Sequence, residues 1–356
     1  SQRFENIRIN SFFEGKMKSP EISVIIPVRT INSYLIEENF PALDTQTYRD
    51  FEVIVLPNTT SPLDRELQKQ YAWLRIIPTG KITRPAQKRN VGAKEAKGSI
   101  IAFIDDDAYP SPTWLQNAKT IFTQQKIEAV CGPGVLPKKT NFWEQSFDLL
   151  LKSPFGSGGF AYRFTPQKTR FVDDYPSMNF LIDKNVFLEL GGFDNDFWPG
   201  EDSKLCENLI YKKKGEILYH PEVLIYHHRR NNLSGFLQQH SQYGYHRGAF
   251  FAHGDKNSRR ISYLIPTVFV VYLFILAFLN LTLSRELLMQ LNPFLSIPLK
   301  IYSIGLFVQG VVFILGTKDI LLSATAILAL FMTHLVYGIF FIRGFFIGLL
   351  KNDKIY

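Results

Sequence analysis

The sequence predicts an α/β domain, built on a mostly parallel mixed sheet with helices on both faces, followed by an all-α membrane region. Three observations carry that expectation. Short apolar runs rich in β-branched residues alternate with helical stretches in the first part of the chain, charge density collapses after position 260, and three long apolar blocks fill the remainder.

The runs ISVIIP from residue 22, FEVIVLP from 51, LRIIP from 74, SIIAFID from 99 and IEAVCGP from 127 read as strands. Strands separated by helices pair in parallel, and such doubly wound sheets bind ligands at the carboxyl ends of their strands. From KKTNFW at 138 to residue 176 the alternation is lost and Gly, Ser and basic residues take over, which reads as an insertion or mobile loop beside the site. Within it, residues 153–175 are expected to order only when a ligand binds. A strand-like EILYHPEVLIYHHRR follows from 216. Leu233, Phe236, Leu237, His240 and Tyr243 then recur at helical spacing, predicting an amphipathic juxtamembrane helix within 232–260. The expected units are thus 1–231, 232–260 and 261–356.

Of 40 basic and 32 acidic residues, only nine lie beyond position 260. The blocks there begin at 261, 293 and 320. A crossing helix needs about 20 apolar residues; the first and third blocks meet that without a charge, and the second carries Lys300 near its start. Buried helices of a large soluble protein would keep a polar face over such lengths. Three crossings are expected, the last two joined as a tight hairpin by TKD at 317–319 and the terminal KNDKIY outside, although Arg343, Lys351 and Lys354 pull that end toward the cytoplasm. The first twenty residues hold no apolar stretch of signal-peptide length, and Arg259 and Arg260 abut the first block. The reading is a multi-pass protein of the cell membrane with its large domain in the cytoplasm. A net charge of +8 suits a partner bilayer of anionic lipid, and nucleic acid is not an expected partner. Two cysteines, Cys131 and Cys206, are too few and too far apart in sequence for a metal knuckle.

Chemistry concentrates where SIIAFID runs into Asp105, Asp106 and Asp107. Adjacent carboxylates repel unless a cation sits among them. Mg²⁺ or Mn²⁺ takes oxygen ligands of this kind, and alternate residues of an extended strand point the same way, so Asp105 and Asp107 can share an ion while Asp106 faces elsewhere. A solvated turn would account for the triplet alone. His227, His228, Arg229 and Arg230 follow a strand, and Arg247 ends QYGYHR. These cations suit a diphosphate, with either histidine completing a metal shell; a basic membrane-facing patch suits them as well.

Together EISVIIPV, KRNVGAKEAKGSIIAFIDDDAYPSPTWL, ELGGFDNDF and the GED at 200–202, spread over residues 20–250, resemble the family 2 glycosyltransferases of GT-A fold. The resemblance implies transfer of a sugar from a nucleotide-sugar donor. It makes Asp105 and Asp107 the D-x-D pair, with Asp107 the direct metal ligand and Asp105 nearer the ribose. Arg89 and Asn90 become the RN pair over the nucleotide sugar, with Pro27, Arg29 and Asp106 also on the donor side. Asp202, after Glu201, becomes the general base of an inverting displacement. Outside the resemblance, Arg89 could be a surface charge, and Glu201 and Asp202 could simply begin a helix. Asn58 stands where many relatives carry a base-binding acid, so the base is open. No Q-x-x-R-W motif occurs near 238–247, which disfavours processive synthesis. The implied acceptor is a lipid-linked or membrane-proximal glycan. Two alternatives stand beside it: direct transfer to a polyprenyl phosphate, and a non-catalytic nucleotide-sugar-binding membrane protein.

Overall fold

Consecutive apolar β-branched residues make strands buried on both faces, and the first, second and fourth runs do so, the third forming a partly exposed edge strand, in a computed structural model that describes residues 19–194 and 200–350. Strand β1 (Ile22–Pro27) leads through a π-helical turn (Leu35–Asn39) into α1 (Phe40–Asp44). Then β2 (Phe51–Leu56), α2 (Pro62–Gln70), β3 (Leu74–Ile76), α3 (Pro85–Glu95) and β4 (Ile100–Ile104) complete a parallel half. It continues with β5 (Ala108–Pro110), α4 (Trp114–Gln124), β6 (Ala129–Cys131), β7 (Gly134–Val135), α5 (Phe142–Leu151), α6 (Pro154–Ser157), β8 (Arg170–Val172), β9 (Asn179–Asp183), α7 (Lys184–Glu189), α8 (Glu201–Glu207), β10 (Ile217–Tyr219) and β11 (Ile225–His227). Five helices follow: α9 (Leu233–His253), α10 (Ile261–Thr282), α11 (Arg285–Leu295), α12 (Ile297–Thr317) and α13 (Ile320–Leu350).

The main sheet runs β3-β2-β1-β4-β9-β6-β10-β8. Strands β3, β2, β1 and β4 are parallel, β9 runs against both β4 and β6, and β8 against β10. Alternate residues of β1 feed two cores: Ile22, Val24 and Ile26 pack on one face of the sheet, Ile25 on the other. A second sheet, β5-β11-β7, crosses its carboxyl side. The stretch read as one strand from 216 is therefore two strands, in different sheets.

The segment expected to be a mobile loop is built into the fold. Helix α5 begins with a capping box in which Asn141 Oδ1 accepts from Glu144 N at 2.9 Å. Beyond it α6 docks on the C-terminal helices through the Phe155 carbonyl, 3.2 Å from His334 Nε2, and β8 closes the edge of the main sheet. Its apolar residues divide between the helices, where Phe147 and Leu150 pack, and the sheet core, where Phe160, Tyr162 and Val172 pack, so they show no single period.

Helices α10, α12 and α13 are long and apolar enough to cross a membrane. The 317–319 turn is tight: Thr317, Asp319 and Ser323 exchange hydrogen bonds, and Lys318 takes a left-handed φ of 58°. At about 1.5 Å per residue the 31 residues of α13 exceed a hydrocarbon core of about 30 Å. Its C-terminal half is lined by α9, whose glycine-bearing face packs on this helix. A Cβ at Gly244, Gly248 or Gly344 would strike the carbonyls of Tyr337, Phe341 or Tyr245 respectively. Only glycine permits that backbone approach. Helical periodicity names a face to be covered but not whether lipid or protein covers it. The KNDKIY end lies outside the described residues.

Candidate active site

The carboxylate triplet starts where β4 ends. Pairing of β11 against β5 sets His227 opposite Ala108, which brings its Nε2 to 3.0 Å from Asp107 Oδ1. Asp105, Asp107 and His227 each offer one ligand atom, and these lie within 4.8 Å of one another. Two hard oxygens and one imidazole nitrogen fit Mn²⁺ or Mg²⁺, with water and phosphate completing the shell. Burial pushes the Asp107 carboxyl up, but His227 and Arg230 outweigh it and hold it below the usual value. Asp106 points away and accepts from Asn32 Nδ2 at 2.7 Å. Burial and its two acidic neighbours raise it to about 7.

Arg89, on α3, spans the cleft. Its Nη2 donates to Asp105 at 2.6 Å and its Nη1 to Glu201 at 3.3 Å. Glu201 and Asp202 open α8, where a helix N-terminus favours carboxylates. Burial, then Asp202, pushes Glu201 up to about 7, with Arg89 opposing. Asp202 is raised by burial and by Asp174. It accepts backbone donors from Ser203 N at 2.8 Å and Ser177 N at 3.4 Å. A carboxyl raised in this way holds a proton more readily than a free one.

Other sequence candidates sit differently. Pro27 is the buried last residue of β1, and the exposed Arg29 beyond it accepts Asn58 N on its carbonyl at 3.0 Å. Asn90 spends both ends of its amide on the Phe193 backbone, at 2.8 Å each, pinning the turn in which Gly191 and Gly192 take φ of 83° and 75°. The remaining cations need correction. His228 contacts Glu144 at 2.6 Å and Glu38 at 2.9 Å through its two nitrogens, outside the Asp105–Asp107–His227 group. Arg229 is buried against Asp148 and the Gly134 carbonyl. Arg247 is committed to Asp174, Ser203 and Ser258. A buried guanidinium demands a carboxylate, and those partners come from segments 73 and 81 positions away. Of the four, Arg230 alone is exposed.

Sequence reasoning passed over Lys88, although it adjoins Arg89. Its ammonium donates to the carbonyls of Val28 and Leu56 and to Asn58 Oδ1, at 2.5, 3.0 and 2.5 Å. This ties together the ends of β1 and β2, and burial lowers it to about 8. Asp174 was missed too. Its Oδ2 collects Arg163, Arg247 and Tyr263, joining α9 and α10 to the segment that follows α6. No local pattern marks either residue.

Residues 23–253 match the model of the glycosyltransferase like family 2. A pre-mycofactocin glycosyltransferase of Mycobacterium tuberculosis is 24% identical over 226 residues, covering 63% of this chain and 46% of the relative. The match thus spans about half the length of that relative. A glucosyl-dolichyl phosphate glucuronosyltransferase of Haloferax volcanii is 23% identical over 58% of this chain and 69% of its own. Among solved structures, a mannosyltransferase from Pyrobaculum calidifontis in complex with GDP-Man and Mn²⁺ superposes with a TM-score of 0.58 at 16% identity, over 95% of this chain and 89% of that one. This last likeness is one of fold.

Proposed function

From the premise that the chain belongs to glycosyltransferase family 2, we propose that it is a membrane-anchored, divalent-metal-dependent, inverting enzyme. It moves one sugar from a nucleotide sugar to a lipid-linked acceptor. The observation that carries the reading is Arg89, which holds Asp105 of the metal group and Glu201 of the acidic pair in one cleft. Donor and acceptor chemistry therefore face each other across a single guanidinium.

Asp105, Asp107 and His227 would hold the ion. When bound, it supplies positive charge against the growing charge of the diphosphate leaving group. On the other side, Asp202 accepts the proton of the acceptor hydroxyl as that oxygen attacks the anomeric carbon. The C–O bond to the diphosphate breaks as the new bond forms, and one displacement inverts the centre. Glu201, tied to Arg89 and to Gly200 N at 2.9 Å, orients the start of α8. In this reading the large domain is cytoplasmic, α10, α12 and α13 are the spans, and the donor enters from the cytoplasm. A relative named for action on glucosyl-dolichyl phosphate supports a lipid-linked acceptor.

The test is slow donor hydrolysis by the purified full chain across a panel of nucleotide sugars, with and without Mn²⁺. Release of nucleoside diphosphate from one donor supports the reading. Nucleotide binding without release from any donor would leave a non-catalytic binding protein. Direct transfer to a polyprenyl phosphate, whose acceptor oxygen is already anionic, would show as a loss of tenfold or less in Asp202→Asn.

A further inference from the structure

Helix α8 is seven residues long, two turns that are not stable by themselves, yet its first two positions carry Glu201 and Asp202. What fixes it comes from outside. Leu205 and Cys206 pack into the sheet core. Ser203, Lys204 and Glu207, spaced i, i+1 and i+4, share another face, and all three are bound by the connector between α9 and α10. The Lys204 ammonium donates to both oxygens of Asp255, at 3.0 Å each. The buried Glu207 carboxylate accepts from the backbone N–H groups of Lys256 and Asn257, at 3.1 Å each. Asn257 Nδ2 donates to the Ser203 carbonyl at 2.8 Å. The connector is anchored in turn. Gly254, at a φ of 88°, closes α9, Ser258 Oγ accepts from Arg247 Nη1 at 2.9 Å, and Arg260, which precedes α10, is paired with Asp173. The segment leading into the first helix apolar enough to cross a membrane is thus the one that holds the helix of the acidic pair.

We propose that Glu207 and Lys204 are positioning residues of the transfer: by binding Asp255, Lys256 and Asn257 they hold α8, and with it Asp202, in a fixed place relative to the start of α10. This rests on the glycosyltransferase reading above, in which Asp202 is the base. Glu207 stands five positions beyond Asp202, about 7.5 Å along a helix axis. A tilt of about 10° pivoted at Glu207 moves Asp202 by about 1 Å, and a misplacement of that size costs up to ~10²-fold in rate. The carboxylate form of Glu207 matters, because two neighbouring N–H donors need two acceptor oxygens. A glutamine offers one oxygen and turns its NH₂ donor against the second N–H.

The test uses the detergent-purified full chain and the nucleotide sugar whose hydrolysis the donor panel reveals. Glu207→Gln should lower kcat by ~10-fold or more, while donor KM and the affinity for nucleoside diphosphate with Mn²⁺ stay within about twofold, since the metal group lies beyond β4 and on β11. Asp255→Asn, which weakens the hold on Lys204, should act in the same direction and carries the comparison if Glu207→Gln does not fold. The decisive reading is the double variant: Glu207→Gln added to Asp202→Asn should cost no further activity, because the residue acts through that base. Glu52→Gln is the control for stability. Glu52 is also a buried carboxylate holding a backbone N–H, that of Lys97 at 2.6 Å, but it pairs beside Ser23 at the opposite end of β1. It should lower the unfolding midpoint and leave kcat unchanged. An unchanged kcat in Glu207→Gln, losses that multiply in the double variant, or an equal kcat loss in Glu52→Gln each overturns the positioning role and leaves the glycosyltransferase reading standing. A wild-type chain that hydrolyses no donor refutes that reading, and this role with it.

Discussion

Nε2 of His227 lies 3.0 Å from Oδ1 of Asp107, although 120 positions separate them. The antiparallel pair β5–β11 creates that contact, and with Asp105 it makes a donor set for a hard divalent cation.

Transfer is expected to cease in excess EDTA and to return with Mn²⁺. Asp107→Ala and His227→Ala should each cost at least ~10²-fold in activity, since even groups that only support metal ligands cost 10–100-fold. His228→Ala should instead lower the unfolding midpoint, because Glu144 and Glu38 lose their shared partner. Metal titration of the three variants separates the outcomes, and full activity in EDTA would overturn the metal group.

The pH profile follows from the acidic pair. Asp202 is raised by burial and Asp174, and Glu201 to about 7 by burial and Asp202. A raised carboxyl keeps its proton to higher pH, so the base form grows as pH rises. The ratio kcat/KM should therefore climb from acid toward neutrality, with apparent pKa values belonging to the pair. Asp202→Asn should lower kcat by ~10² or more and remove that limb. An unchanged profile in this variant would exclude Asp202 as the base.

Removing Arg89 strands Glu201, which is buried, and frees Asp105. Arg89→Ala is expected to destabilise the domain by about 3 kcal/mol, the order seen when one partner of a buried pair is deleted. Lysine should not restore the bridge, because one ammonium cannot reach two carboxylates in a fork. Denaturation midpoints and donor KM for both variants check this.

The glycine seam between α9 and α13 should be intolerant of side chains. Gly344→Leu would drive a Cβ into the Tyr245 carbonyl, separate the helices and loosen the Arg247–Ser203 contact beside Asp202. Lower thermal stability in detergent together with reduced activity is expected. Retention of both would mean that the seam does not position α8.

The strands, the aspartate cluster and the apolar helices were legible in the sequence because each is a local pattern. Alternation, β-branching and charge density act over a few residues, so β1, β2 and β4 and the first and third apolar helices begin within a residue of the runs that announced them, while the second block, expected from 293, divides between the end of α11 and α12 from Ile297. The pairing of residues was not legible. Which histidine joins Asp107, which carboxylate claims Arg229 or Arg247, and which helix covers the glycines of α9 depend on segments brought together from tens to more than a hundred positions apart. His227 and His228 are neighbours of the same type, yet the pleat sends one toward Asp107 and the other toward Glu144 and Glu38. Residue type determined what chemistry was on offer here. Only the tertiary structure decided which groups meet, because a buried charge is assigned by the nearest opposite charge in space and not by its neighbours along the chain.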